Sequence, residues 1–298
     1  MTNPIRNLGL TARRAAAVAA VLAALPAALQ AAERVPAHIV LRDRKRIECF
    51  VERSDNAGVF WSLKMDDAHT VHLPFDEIAF IRFDPPEGWE DAISAFRRGD
   101  HDDARRRLSL IAETNKRFVT APGNFSTKAQ FWILESFKAQ QKLDELSKGI
   151  EGFNAAVLAD HERHGGELMY IWADVARSQW AEARKKLDAL LSSNLDVARQ
   201  TELWFLRGLV LARQEQRDAA IMDLTKVFTV GYGVSPMLER SALMQTIELL
   251  AQTERLDEAR ALLDLYRVNF GKGSLPARLQ ELQARLPAAP EAPAPAAP

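Results

Sequence analysis

The segment Thr253–Tyr266, TERLDEARALLDLY, decides how most of this chain folds, because its plan recurs along the sequence. It places two acidic residues, Asp257 and Glu258, directly before a small residue, Ala259, and continues with apolar residues at short intervals. The same plan stands in Arg97–Ile111, RRGDHDDARRRLSLI. Acidic residues stabilise the first turn of a helix, and apolar residues three and four positions apart give a helix one buried face. The segment therefore predicts an amphipathic helix that the chain uses more than once.

Five copies of this plan align over ten residues each, and the sixth position is occupied by alanine in four copies and by leucine in one. The copies are GDHDDARRRL (99–108), QKLDELSKGI (141–150), SQWAEARKKL (178–187), EQRDAAIMDL (215–224) and ERLDEARALL (254–263), so the sixth position is Ala104, Leu146, Ala183, Ala220 and Ala259. The resulting spacings of 42, 37, 37 and 39 residues are typical of helical solenoids. Each copy is predicted to be the second helix of a helical hairpin, because stacked hairpins bury the face that one hairpin leaves exposed.

The hairpins resemble tetratricopeptide repeats. In the clearest copy, LWFLRGLVLARQEQRDAAIMDLTKVF (203–228), the large and small positions of that family are occupied by Trp204, Gly208, Leu211, Ala220 and Leu224. The first copy has the family's Gly-Asp turn in GDHDDA. The resemblance implies an all-α, right-handed solenoid of about five repeats over residues 88–287, and a family that mostly binds proteins without chemistry of its own. The first helices of the hairpins are predicted at about 89–98, 128–140, 167–177, 202–213 and 238–252.

Residues 34–84 are predicted to form a separate domain of short strands, because their apolar residues alternate with a period of two. In RIECFVE (46–52), Ile47, Cys49 and Val51 alternate with more polar neighbours, and VFWSLKM (59–65) is predicted to turn Val59, Trp61, Leu63 and Met65 to one face. Turn-forming segments separate five such strands. A sheet of this size buries a face by curling, so we expect a small five-stranded β-barrel.

The strand region resembles Sm-like and SH3-like barrels in DRKRIECFVERSDNAGVFWSL and HLPFDEIAFI. Sm-like proteins often bind RNA, so the resemblance implies an RNA-binding module as an alternative function. The region from Glu33 to Asp84 has 8 basic and 10 acidic residues, and a balance of this kind disfavours nucleic acid as a partner. Cys49, the single cysteine, cannot form an intramolecular disulfide and is interpreted as a small buried strand residue.

Residues 1–31 have the layout of a secretory signal peptide. Arg13 and Arg14 precede the apolar run AAAVAAVLAALPAAL (15–29), and the small residues Ala31 and Ala32 follow it. The run of 15 residues is shorter than the ~20 that span a bilayer, so we expect cleavage between Gln30 and Glu33, with a retained anchor as the alternative. The sequence predicts a periplasmic or otherwise extracytoplasmic protein. Residues 288–298, rich in Pro and Ala, are expected to form a disordered tail.

The fold class expected from these patterns is α+β in two domains, a small five-stranded β-barrel followed by an all-α helical-hairpin solenoid. The chain has 39 basic and 40 acidic side chains, so net charge draws it neither to nucleic acid nor to anionic lipid. We expect a non-enzymatic scaffold of the bacterial cell envelope that binds a protein or peptide partner on the concave face of the solenoid. A metal-dependent envelope enzyme is a further alternative.

No catalytic, cofactor-binding or metal-binding residue is assigned from the sequence. His161 and His164 in DHERHGGE are three positions apart, one short of the zinc-protease spacing, and Gly165 and Gly166 follow where a helix is expected to stop. This string is interpreted as an inter-repeat turn. Tryptophans at helical spacing are interpreted as core residues. The candidate partner-binding side chains are inward-facing polar positions of the first helices, namely Lys128, Gln130, Glu202, Arg207, Glu239 and Gln245.

Overall fold

A computed structural model describes residues 34–193, 195–271 and 275–286. The predicted signal peptide and the Pro/Ala-rich tail lie outside the described residues. The described chain forms two compact units, one containing residues 34–85 and 115–124 and the other containing residues 86–114 and those from 125 onward. The first unit is built on a sheet and the second on helices, which confirms the α+β fold class.

The sheet of the first unit has five antiparallel strands. They are β1 Val35–Leu41, β2 Arg46–Ser54, β3 Gly58–Ser62, β4 Val71–Pro74 and β5 Ile78–Phe83. Their spatial order is β4-β3-β2-β1-β5, so Ile39 of β1 lies opposite Ile47 of β2 on one side and Ile81 of β5 on the other. Closure into a barrel requires β4 to pair with β5, and no such pairing occurs among the described strands. A five-stranded antiparallel sheet is therefore established, and its closure into a barrel stays a prediction.

The predicted inner face of the third strand is wrong beyond Trp61. Leu63 and Met65 are 66% and 54% exposed, whereas Ser62, expected on the outer face, is buried. The register between β2 and β3 shifts after Val51, and β3 ends at Ser62. The Ser62 hydroxyl donates to the carbonyl oxygen of Lys64 at 2.7 Å, which starts a turn. The alternation of VFWSLKM thus runs past the end of the strand.

The segment Asn115–Asn124 belongs to the sheet unit, although the sequence analysis placed it within the helical repeats. It contains a short 3₁₀ helix whose last residue, Phe118, is 1% exposed and has its ring centroid 5.4 Å from that of Phe83. The hydroxyls of Ser54 and Thr120 are 2.6 Å apart. The chain therefore contributes to the sheet unit twice.

The second unit contains eleven α-helices and one short 3₁₀ helix, Ala155–Val157, in its described part. The α-helices are α1 Trp89–Arg97, α2 His101–Thr114, α3 Phe125–Ala139, α4 Leu143–Gly149, α5 Asp160–Ala176, α6 Trp180–Leu191, α7 Val197–Arg213, α8 Arg217–Thr229, α9 Pro236–Gln252, α10 Leu256–Phe270 and α11 Ala277–Arg285. Helices α1 to α10 form five hairpins of a first and a second helix, and α11 packs against α9 and α10. None of the helices in the described ranges has both the length and the apolar character needed to cross a membrane.

The five aligned copies occupy equivalent places in these hairpins, as predicted. The sixth-position residues are all completely buried, and they are Ala104, Leu146, Ala183, Ala220 and Ala259. The first residue of each copy adopts a left-handed backbone with φ between 56° and 83°, and these residues are Gly99, Gln141, Ser178, Glu215 and Glu254. The amide that follows each of them donates to a carbonyl of the preceding helix at 2.8 to 3.0 Å, which ends the first helix in a Schellman turn. The repeat is thus a repeat of turn geometry as well as of packing.

The interpretation of Gly165 and Gly166 as an inter-repeat turn is wrong, because α5 runs through both residues. A β-carbon on Gly166 would lie 2.6 Å from a methyl carbon of Leu158, and one on Gly165 would lie 3.2 Å from the ring of Phe131. Both glycines therefore serve close packing of the helix. Because the helix includes both glycines, α5 begins at Asp160, seven residues before the predicted start at residue 167.

Candidate functional site

Successive hairpins of the helical unit line a cleft of about 650 Å³. We call it the hairpin cleft and define it by six of its lining residues, Trp180, Leu209, Arg213, Gln245, Glu248 and Arg278. These residues come from α6, α7, α9 and α11, and Leu143 and Asp144 of α4 also reach it. Four hairpins and the last helix therefore contribute to one continuous surface.

The spacing of residues on α9 explains why one helix supplies several lining side chains. Gln245, Glu248, Leu249 and Gln252 follow one another at intervals of three, one and three positions and lie along one face of the helix. On α7, Leu209, Ala212 and Arg213 line the cleft in the same way. These lining residues of α7 and α9 carry amide, charged and aliphatic groups, so the cleft offers hydrogen bonds and apolar contacts side by side.

The charges of the cleft are balanced and partly paired within the chain. Glu248 is buried on α9, and its Oε1 lies 3.0 Å from Nε of Arg278 on α11. Burial raises the pKa of the Glu248 carboxyl, and the Arg278 guanidinium opposes that rise. Asp144 and Arg213 add one further charge of each sign. The cleft therefore does not select strongly for an acidic or a basic partner.

Of the six predicted binding residues, Gln245 lines the hairpin cleft, and the other five lie elsewhere on α3, α7 and α9. Lys128 lies 3.8 Å from a carboxylate oxygen of Glu162 and beside the Phe125 ring. Gln130, on the same helix as Lys128, is largely buried. The structure does not gather the six residues into one site, and their binding role stays a prediction.

Two of the predicted binding residues are engaged in contacts within the helical unit. Arg207 donates from Nε and Nη2 to the two carboxylate oxygens of Asp223 on α8, at 2.5 and 3.0 Å, and from Nη1 to Asp188 on α6 at 3.1 Å. Glu239 is 5% exposed and accepts a hydrogen bond of 2.5 Å from the backbone amide of Gly233. These two side chains therefore stabilise the fold.

Glu202 belongs to a buried charge cluster, which we define as Glu135, Lys138, Trp172 and Glu202. Lys138 is 6% exposed and donates from Nζ to Glu135 at 2.6 Å and to Glu202 at 3.0 Å. Trp172, fully buried as its helical spacing predicts, donates from Nε1 to Glu202 at 2.6 Å. Sequence reasoning missed the cluster. The feature of the sequence that could have indicated it is a Glu and a Lys three positions apart on helix α3, among residues that are mostly apolar.

The two histidines of DHERHGGE are separated by environment. His161 is 78% exposed, whereas Nε2 of His164 is buried. No group of three or more His, Cys, Asp or Glu side chains with metal-binding geometry occurs within residues 34–193, 195–271 and 275–286. Cys49 is buried, as expected, and its thiol lies 3.6 Å from the carbonyl oxygen of Ala37.

Comparison with known proteins finds no matching family model and no matching curated protein. Among solved structures, the chain is similar to the crystal structure of a thermophilic TPR protein from Thermus thermophilus. The match has a TM-score of 0.45 and 20% sequence identity, and it covers 66% of this chain and 93% of that chain. A match at this TM-score and sequence identity does not show that the chain belongs to a family.

Proposed function

We propose that this chain is a protein-interaction scaffold that holds an extended peptide segment of a partner in the hairpin cleft. The observation that carries the proposal is the cleft itself, which four hairpins and α11 line together. Small-molecule pockets are mostly apolar and enclose their ligand. The hairpin cleft is open and lined mainly by polar groups, which suits a chain segment that carries its own hydrogen-bonding backbone.

The chemistry of the lining indicates how a peptide would be held. The side-chain amides of Gln245 and Gln252 can each donate to a peptide carbonyl and accept from a peptide N–H. Leu209 and Leu249 offer apolar contacts to every second side chain of an extended bound peptide. With both signs of charge present, the proposed partner segment is polar and of mixed charge.

The proposed role is non-catalytic and lies in the bacterial cell envelope. The signal-peptide pattern of residues 1–31 supports export, and a mature chain that starts near Arg34 would begin directly at β1. Mass spectrometry of protein purified from its native host tests this part. A terminus between residues 31 and 33 in the periplasmic fraction is expected, and an intact Met1 or a purely cytoplasmic protein would refute export.

Site-specific photo-crosslinking tests the binding role. A benzophenone amino acid replaces Gln245 in the cleft, and a matched variant carries it at Met222, an exposed residue of the second helix α8. We expect adducts with a defined peptide of one envelope protein from position 245 and none from position 222. Equal labelling from both positions, or no protein adduct from position 245, would contradict the cleft as the binding surface.

The sheet unit is proposed to be a small Sm-like or SH3-like barrel without a nucleic-acid ligand. The near balance of basic and acidic residues in 33–84 supports this view. A benzophenone amino acid at Phe80, an exposed residue of β5, followed by nuclease treatment of the crosslinked sample, distinguishes the alternative. Adducts that change mass after nuclease digestion would indicate RNA.

A further inference from the structure

The buried charge cluster contains two carboxylates and only one ammonium group. Glu135 and Lys138 lie on α3, Trp172 on α5 and Glu202 on α7, and both carboxylates accept from the same Lys138 Nζ. His164 on α5 faces the cluster from the side of Glu202 and helps to lower the pKa of that carboxyl. When both glutamates are ionised, the four-residue cluster has one negative charge in excess.

The cluster connects the first helices of three successive hairpins. Trp172 lies in the apolar core of the helical unit, where its ring centroid is 5.9 Å from that of the buried Phe205. Trp172 bridges the helices, since its Nε1 donates to Glu202 and its ring lies 6.0 Å from Lys138 Nζ. An uncompensated charge in such a place destabilises the interfaces it touches, because the low-dielectric interior solvates it poorly.

The two carboxyl groups are not equivalent. Glu202 accepts from both Lys138 and Trp172, whereas Glu135 accepts from Lys138 alone within the described chain. Burial raises the pKa of Glu135, and the nearby negative charge of Glu202 adds to the rise despite Lys138. Burial also opposes ionisation of Glu202, but Lys138 and the Trp172 hydrogen bond hold the pKa of Glu202 below its usual value. Glu135 therefore takes up a proton before Glu202 does.

We propose that the buried charge cluster is a pH-sensitive switch that binds one proton at Glu135 and thereby tightens the contacts between the second, third and fourth hairpins. A proton from solvent forms an O–H bond with a Glu135 carboxylate oxygen, and the excess negative charge disappears. The side chains of Glu135 and Glu202 are each 18% exposed, so water can reach both, and the hydrogen bond from Trp172 to Glu202 leaves Glu135 as the one that takes up the proton. Release of the proton at higher pH restores the charge and loosens the three first helices.

The sign of the pH dependence follows from the direction of the Glu135 shift. Folding raises the pKa of Glu135. At pH values between its ordinary pKa and its raised pKa, the folded protein therefore binds more protons than the unfolded chain. The contribution of Glu135 to stability is complete below the ordinary glutamate pKa and is lost as the pH rises through the raised one. Glu202 behaves in the opposite way, and its contribution is lost only in stronger acid, as the pH falls through its lowered pKa.

The test combines a titration with a stability profile of the full chain. Carbon-13 labelling of glutamate side chains allows NMR to follow the Glu135 carboxyl in the folded and in the denatured chain. We expect the Glu135 midpoint of the folded chain to lie above that of the denatured chain. A folded-state midpoint equal to or below that of the denatured chain would overturn the proposal.

The variant Glu135→Gln mimics the protonated acid and should remove the fall in stability with rising pH. At a pH above the Glu135 midpoint found by NMR, it should also slow amide hydrogen exchange in α3, α5 and α7 relative to the parent, with little change in α1. The control Glu151→Gln should retain the parental profile. A Glu135→Gln profile that still falls like the parent's, or unchanged exchange in the three helices, would show that the cluster is a static ion pair.

Discussion

At the scale of single residues, Cys49 shows how burial controls reactivity. Its thiol is buried in β2, and burial raises its pKa to about 11. At neutral pH almost none of it is thiolate, which is the reactive form. We expect iodoacetamide to leave the folded protein unmodified and to alkylate Cys49 only after denaturation, as measured by intact mass. Rapid modification of the native protein at neutral pH would contradict this environment.

Single residues also explain why the candidate site could be predicted only in part. The sequence placed Gln245 on a first helix, and the structure puts it in the hairpin cleft. Glu202 and Glu239 satisfied the same criterion of polar residues on first helices, but Glu202 meets the buried Lys138 on α3, and Glu239 accepts from the backbone amide of Gly233 just before its own helix. A helical pattern shows which face a residue occupies. It does not show which distant side chain will lie opposite it.

At the scale of elements, the hairpin turns were predictable because one short string determines both the turn and the buried sixth position. The turns at Gly99, Gln141, Ser178, Glu215 and Glu254 share a left-handed residue, yet only the first uses glycine. By contrast, the glycines of α5 looked like a helix end in the sequence. Their packing against Leu158 and Phe131 depends on contacts between elements, which local sequence rules do not contain.

The left-handed turn residues lead to a stability prediction. Glu215 has φ of 61°, a conformation that glycine adopts without steric penalty. We expect Glu215→Gly to raise the free energy of unfolding by up to ~1 kcal/mol, because the backbone strain is relieved. The greater flexibility that glycine gives the unfolded chain reduces this gain. The control Glu215→Ala removes the same side chain but keeps the strain, so it should be near neutral. Denaturant melts check both, and a glycine variant no more stable than the alanine variant would contradict the turn geometry.

The ion pairs of α7 give a second prediction at this scale. Asp223 is buried and is held by Arg207 and Lys226, so Arg207→Gln leaves its carboxylate with weaker compensation. We expect a loss of about 1 to 3 kcal/mol in the free energy of unfolding. The matched control is Arg255→Gln, whose pairs with Glu258 and Asp218 are exposed and should contribute little. Chemical denaturation at neutral pH should separate the two variants, and equal stabilities would refute a structural role for Arg207.

At the scale of the whole molecule, the sequence revealed the order of sheet and helices but not the path of the chain between the two units. The change of hydrophobic period after residue 84 marks where strands give way to helices. Residues 115–124 follow a helix and contain no alternating pattern, so nothing local indicates that they join the sheet unit. Their position is determined by long-range contacts such as that between Phe118 and Phe83.

Residues 115–124, the second segment of the sheet unit, lead to the last prediction. Phe118 is fully buried there, so Phe118→Ala removes apolar contacts and leaves a cavity beside Phe83. We expect the free energy of unfolding of the sheet unit to fall by about 3 to 5 kcal/mol, as in other buried Phe truncations. The neighbouring Val119 is exposed, and Val119→Ala should therefore have little effect. Amide hydrogen exchange in β1 and β5 reports on this unit directly. Exchange that rises in Phe118→Ala but not in Val119→Ala is expected, because only the first side chain lies in the core of the sheet unit. Similar exchange in both variants would mean that residues 115–124 do not stabilise the sheet.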